Sequence, residues 1–295
     1  MNSGKKFGLT TVALAAVVVF AVFICGCTGE GSSSATPSST TGATNAVSGT
    51  LTVTGSTTVL PIAQASAEEY MSENQNVDVQ VSGGGSSVGV QAVGEGTADI
   101  GMASRELKDS EKKLYPNLVR HVIARDGIAL VVYPGNTVSD ITLDSIKKIY
   151  TGEITNWKEL GGDDMTIVVV GRDSSSGTRE FFSEKIMGED DFVSTMLEKN
   201  SNGAVAQTVA QTPGAIGYLS MGYLDGSVKA LNINEDGTII KANIDNVLNG
   251  TYPIARGLNM FTNGEATGLA KDYIDFILGS KGQAIVTKEG YVTVA

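Results

Sequence analysis

Residues 171–178 read Gly-Arg-Asp-Ser-Ser-Ser-Gly-Thr, and these types suit the capture of an anion better than the making of bonds. Arg172 supplies a planar charged fork, Ser176 and Thr178 supply hydroxyls, and Gly177 lets a ligand come close to the backbone. Asp173 has two readings: it orients Arg172 or Arg179, or it accepts a proton from the ligand. Alone, the octet also fits an ordinary polar turn ending in a helix cap. Three other turns of similar chemistry weigh against that: Ser56-Thr57-Thr58, Gly83-Gly84-Gly85-Ser86-Ser87 and Ser104-Arg105 each follow a short strand-like segment. Ser176 in a tight glycine turn beside Asp173 raises the alternative of a hydrolase. The single histidine, His121, belongs to no triad pattern, and no cluster of side chains has metal-ligand spacing. The expectation is therefore a binding protein with no catalytic residues, no metal and no cofactor.

The elements around these turns repeat one plan. Leu51–Thr54 alternates like a strand, and Pro61 opens a helical pattern through Tyr70 and Met71; Val77–Val81 alternates again, with a helix expected from Val88. Ala98–Met102 is a short strand leading to Arg105. Ile167–Val170 is β-branched and uncharged, so it reads as a buried strand, with a helix beginning near Thr178. At each junction the free N–H groups of a first helical turn face whatever sits above the strand end. Val119–Ile123 and Ile128–Tyr133 read as two strands separated by Ala124–Gly127. His121 is then a packed or edge residue. Met187–Lys199 and Ala204–Thr212 read as helices, and Trp157 with Leu160 as local core. Gly83–Ser87 lacks the spacing of a dinucleotide fingerprint and is followed by no phosphate-loop lysine.

The amino terminus carries Lys5 and Lys6, an apolar run from Leu9 to Ile24, and Cys25-Gly26-Cys27. This is the build of a secretory signal, with Cys27 the better lipidation candidate because Gly26 precedes it; an uncleaved anchor is the alternative. Residues 1–27 are thus signal, and 28–49 a Ser/Thr/Gly tether with little to bury. Both cysteines lie before the tether, so no disulfide is expected in the folded part. The region from residue 50 onward is long enough for two lobes of roughly 100 to 150 residues each. Composition breaks at Pro134-Gly135 and at Tyr252-Pro253 divide it into 50–133 with 253–295, and 134–252. The formal net charge of −11 argues against nucleic acid as a partner. It leaves a small anion open, because a deep site is governed by local donors. Asn249-Gly250-Thr251 fits a glycosylation sequon.

In order, Gly55–Val59, Gly83–Ser87, Ala98–Arg105, Gly152–Trp157 and Gly171–Thr178 resemble the periplasmic-type phosphate-binding protein of the phosphate ABC importer, over essentially everything from residue 50. The resemblance implies a two-lobed α/β fold of the type II binding-protein kind, with two chain crossings between lobes. It also implies inorganic phosphate as ligand, an ABC permease as membrane partner, a monomer, and a place on the outer face of the cell membrane. The implied ligands are Ser56, Thr57, Thr58, Ser86, Arg172, Ser176, Gly177 through its backbone, and Thr178. The best-known members have an aspartate where this chain has Arg105, and that carboxylate takes the proton of hydrogen phosphate and so rejects sulfate. Arginine cannot accept a hydrogen bond. Arg105 is carried as a fourth contribution to the crevice and Asp173 as the nearest replacement acceptor, with sulfate or molybdate the competing ligands.

Overall fold

The computed structural model describes residues 47–294. The signal, Cys27 and most of the tether lie outside the described residues. From the start, β1 (Gly49–Gly55), α1 (Leu60–Glu73), β2 (Val77–Gly83), α2 (Ser86–Gly94) and β3 (Ile100–Ala103) follow the repeating plan read from the turns. A short helix α3 (Asp109–Leu114) leads to β4 (Leu118–Val132), and after β5 (Asp140–Ile141) come α4 (Leu143–Thr151), β6 (Val168–Arg172) and α5 (Gly177–Phe182). β7 (Leu197–Lys199), α6 (Asn202–Gln211), β8 (Ala215–Ser220), β9 (Lys229–Ala230), β10 (Asn232–Glu235), β11 (Thr238–Ile240) and α7 (Ile244–Leu248) follow, before β12 (Ala255–Asn263), α8 (Gly268–Leu278) and α9 (Ser280–Lys288) close the chain.

The fold is two-lobed, and one long strand joins the lobes. The main sheet runs β2-β1-β3-β12-β4-β8-β6-β7. Leu118 to Gly127 of β4 pair antiparallel with β12, whereas Ile128 to Val132 pair with β8. The strand thus changes neighbours at Gly127/Ile128 without breaking. Two separate readings for this stretch are corrected to one strand: Arg125, Asp126 and Gly127 look like a turn by composition, but each is held in the ladder opposite β12. Pairing outweighs local preference here.

Each lobe has its own core. Leu51, Val53, Ile62, Ile100, Met102, Leu258, Met260, Tyr273 and Ile277 form one. Val131, Ile149, Tyr150, Trp157, Val170, Phe182, Val205 and Tyr218 belong to the other. Trp157 is buried there and donates its indole N–H to Gly214 O at 2.8 Å. His121 is half-buried on β4 against Thr262 Oγ1 at 3.0 Å, and burial lowers its pKa. The helix expected over Met187–Lys199 is absent. The chain leaves its helical path at Gly188, and Leu197–Lys199 instead pairs parallel with β6 as β7. That exchange has a use, because the Lys199 carbonyl of β7 accepts Arg172 Nε at 3.1 Å.

Candidate anion-binding site

The turns after β1, β2, β3 and β6 meet between the lobes. After β1, Gly55 O accepts both the Gly84 and Gly85 N–H at 2.8 and 2.9 Å, which ties the first two turns together. From the other lobe, Ser175 O accepts Ser87 N–H at 3.1 Å, and Ser175 Oγ lies 3.1 Å from Gly84 O. The approach is so close that a Cβ on Gly85 would lie 2.3 Å from Ser175 Oγ, at a φ of +102° that suits only glycine. A Cβ on Gly177 would lie 2.2 Å from Ser86 Oγ. The lobes are therefore closed on one another at this point.

The residues brought together are Thr57, Thr58, Ser86, Arg172, Ser176, Gly177 and Thr178, all buried. Arg172, 1% exposed, donates from Nη2 to Thr57 Oγ1 and to Asn200 O, each at 3.2 Å. Its backbone N–H donates to Tyr218 Oη at 3.1 Å. Burial lowers the guanidinium's pKa, opposed by the nearby Asp173, but an arginine so far above neutrality stays charged. Thr58 Oγ1 and Thr178 Oγ1 lie 3.2 Å apart across the cleft. Ser86 Oγ accepts Ser104 N–H at 3.0 Å. Ser176 caps α5, its Oγ accepting Arg179 N–H at 3.3 Å. Among the described residues no acceptor lies within hydrogen-bond reach of the Gly177 and Thr178 N–H groups, the first two of that helix.

Three of the expected residues are engaged by neighbouring groups of the protein itself. Ser56 Oγ accepts Thr58 N–H at 3.2 Å and so shapes its own turn. Asp173 Oδ1 accepts both the N–H and the hydroxyl of Ser175, at 3.0 and 2.6 Å, which makes it the brace of the serine turn. Arg105, 4% exposed, is held bidentately by Glu111 at 2.7 Å on both sides, and its Nε lies 2.5 Å from Glu180 Oε2 of α5. Burial opposes its charge, but the hydrogen bonds to Glu111 and the field of Glu180 prevail and raise its pKa. Arg105 thus links two carboxylates, one from each lobe.

Several residues of the site carried little sequence signal. Arg256 of β12 donates from Nη2 to Asp126 Oδ2 at 2.8 Å, and its second Nη2 hydrogen is shared between Thr178 Oγ1 at 3.0 Å and Thr58 Oγ1 at 3.3 Å. Asp126, fully buried on β4, also accepts Ser220 Oγ at 2.7 Å. Its pKa is raised by burial, against the pull of Arg256. The available clue was charge within a strand: Arg256 in β12, and Asp126 beside Arg125 in β4. Asn202, 0% exposed, donates from Nδ2 to Thr58 Oγ1 at 2.9 Å; nothing but its place at a helix start marked it. Tyr223 and Tyr291 donate to the carbonyls of Thr57 and Thr58 at 2.6 and 2.8 Å, fixing the first turn from outside. Burial pushes the Tyr223 pKa up to about 12. Nη1 of both Arg172 and Arg256 is buried without a hydrogen-bond partner among the described residues. Two such donors beside three hydroxyls amount to an anion cradle.

Two lobes closing over a cradle of buried cations and hydroxyls define a solute-binding protein of the kind that feeds membrane importers. Residues 39–281 match the family model for the PBP superfamily domain. The chain is 41% identical over 292 residues to the phosphate-binding protein PstS of Bacillus subtilis, covering 98% of this chain and 95% of the relative. To PstS of Pseudomonas aeruginosa it is 32% identical over 269 residues, 83% of each chain. Among solved structures, a substrate-binding protein assigned to a phosphate ABC transporter of Clostridium perfringens, with bound phosphate, superposes with a TM-score of 0.79 at 40% identity, covering 84% of this chain and all of that one. The chain belongs to the periplasmic-type phosphate-binding proteins of the ABC transporter substrate-binding family.

Proposed function

We propose that this protein captures inorganic phosphate between its lobes and hands it, chemically unchanged, to an ABC permease from outside the cytoplasm. The PstS relatives are phosphate-binding proteins and the Clostridium perfringens protein holds phosphate, and the family is one of carriers rather than catalysts. The observation that carries the reading is the pair of buried guanidinium Nη1 groups of Arg172 and Arg256 that lack a partner beside Thr57, Thr58 and Thr178. An uncompensated buried donor costs roughly 1–3 kcal/mol, more for a charged one, and an oxyanion would satisfy both at once.

In this reading the ligand contacts are Thr57, Thr58, Ser86, Arg172, Ser176, Thr178 and the backbone of Gly177. Ser56 and Asp173 shape the turns, and Arg105 joins the lobes beside the site. The lobes comprise 50–133 with 253–295, and 134–252; the change of pairing partner in β4 at Gly127/Ile128, and β12 beginning at Ala255, support crossings near those bounds. The protein acts as a monomer, tethered through lipid on Cys27 behind the residue 28–49 linker. Palmitate labelling of cells carrying wild type and Cys27→Ser tests the tether, with loss of label in the variant expected.

Titration calorimetry of the purified protein with phosphate, sulfate and molybdate tests the ligand. Saturable one-to-one heat with phosphate is expected. Heat only with sulfate or molybdate would move the assignment to another tetrahedral oxyanion. That second reading has one observation in its favour: Asp173, the nearest acceptor by sequence, spends Oδ1 on Ser175.

A further inference from the structure

The hydroxyls of the cradle have their hydrogen positions dictated by their neighbours. Asn202 Oδ1 accepts the backbone N–H of Ser220 at 3.3 Å, and a backbone N–H can only donate. The amide is thereby oriented, with Nδ2 facing the threonines. Its two hydrogens reach Thr58 Oγ1 at 2.9 Å and Thr57 Oγ1 at 3.5 Å. Thr57 Oγ1 also accepts Arg172 Nη2 at 3.2 Å, so both its lone pairs are taken and its own proton must point outward. Thr58 Oγ1 accepts Asn202 at 2.9 Å and shares with Thr178 Oγ1 the one Arg256 Nη2 hydrogen not given to Asp126, which turns its own proton to Thr178 Oγ1 at 3.2 Å. Thr178 Oγ1, accepting Thr58 and the nearer share of that Arg256 hydrogen at 3.0 Å, is filled in turn.

From this we propose that Asn202 is a specificity-determining positioning residue: it touches no ligand but orders two hydroxyl chains so that Thr57 and Thr178 can only donate, and this corner therefore reads proton-free oxygens. The inference rests on the phosphate reading. Its consequence is that the site prefers the hydrogen phosphate dianion to the dihydrogen monoanion, whose extra proton would meet a donor. The charged and titratable groups facing Asn202 and its threonines are Arg172 on β6, Asp126 on β4, Arg256 on β12, Tyr223 after β8 and Tyr291 after α9. Burial pushes the hydroxyls of Tyr223 and Tyr291 up, further from the range of phosphate's second ionisation, and Asp126 is held by Arg256 and Ser220.

Asn202→Asp keeps the shape and the acceptor for Ser220 N–H but replaces the driving donor with an acceptor. Both chains then run backward, and Thr57 and Thr178 present lone pairs. Asn202→Leu removes the amide without charge and leaves the hydroxyls free to turn. The phosphate Kd of the full chain is measured from about pH 5.5 to about pH 8.5, with thermal melting to verify folding. Wild type should bind more tightly as the dianion forms. Asn202→Asp should bind on the order of 100-fold more weakly at the upper end, and its pH slope should flatten or reverse. Protonation of the new buried carboxyl at low pH would restore a donor and push the slope the same way. Asn202→Leu should lose less affinity than Asn202→Asp, with a pH slope between those of wild type and Asn202→Asp. A folded Asn202→Asp protein with the wild-type slope would overturn the inference. Absence of phosphate binding by the wild type would overturn the functional reading and this inference with it.

Discussion

Glu180→Gln should loosen the closed state without disturbing either core. Glu180 projects from α5 in one lobe and meets Arg105 Nε at 2.5 Å and Lys108 Nζ at 2.6 Å from the other. The side chains are 21% exposed for Glu180, 4% for Arg105 and 38% for Lys108, so the two contacts differ in worth. The Lys108 pair, largely in solvent, contributes at most about 1 kcal/mol. The Arg105 pair is desolvated on the arginine side, an ion-pair contact without hydrogen-bond geometry, and it contributes about 1–2 kcal/mol. Glutamine keeps a carbonyl acceptor, and Arg105 keeps its bidentate hold on Glu111, so no bare charge is left behind. A net loss of about 2 kcal/mol follows, and because both contacts need the lobes together it falls on the closed state, weakening phosphate binding roughly 30-fold. Stopped-flow release and calorimetry at low and high salt measure it. Most of the change should appear as faster release, and the gap to wild type should narrow with salt. An affinity within twofold of wild type at low salt would refute the reasoning, as would an equal loss of melting temperature with no change in release.

Gly177→Ala should melt like wild type, since α5 tolerates alanine, yet bind phosphate at least about tenfold more weakly, because its Cβ would sit 2.2 Å from Ser86 Oγ when the lobes meet; calorimetry beside a melting curve separates the two. Asp126→Asn should cost about 3–5 kcal/mol of stability by denaturant unfolding, since Arg256 would stay buried without its charge partner, Asp126 being 0% and Arg256 1% exposed at the side chain. The Glu111 pKa is lowered: burial opposes ionisation, but the hydrogen bond from Arg105 outweighs it. The unfolded chain therefore binds the proton more readily, so this stabilisation is complete above the ordinary glutamate pKa of 4.5 and is lost as pH falls through the lower folded value. Glu111→Gln should flatten that part of the stability curve measured by melting across the acid range.

By itself, the sequence determined the units of the site. Strand, small-residue turn and helix start are local patterns, set by β-branched runs, glycines and hydroxyl caps within a few residues, and they marked Thr57, Thr58, Ser86, Arg172, Ser176 and Thr178 correctly as residues at strand ends. The family likeness lay in those same turns. What only the tertiary structure decided is which side chains face the cleft and what each charge is paired with. Arg105 and Asp173 read as ligand groups, and the partners that hold them could not be read from one chain segment. Glu111 and Glu180 claim the arginine from two other elements, and Ser175 claims the aspartate. Arg256, Asp126 and Asn202 reach the same threonines from three elements far apart in the chain, and their role exists only once β4, β12 and α6 are packed. Hydrogen-bond partnership at that range is a property of the closed fold, since local periodicity carries no information about which distant donor fills a given lone pair.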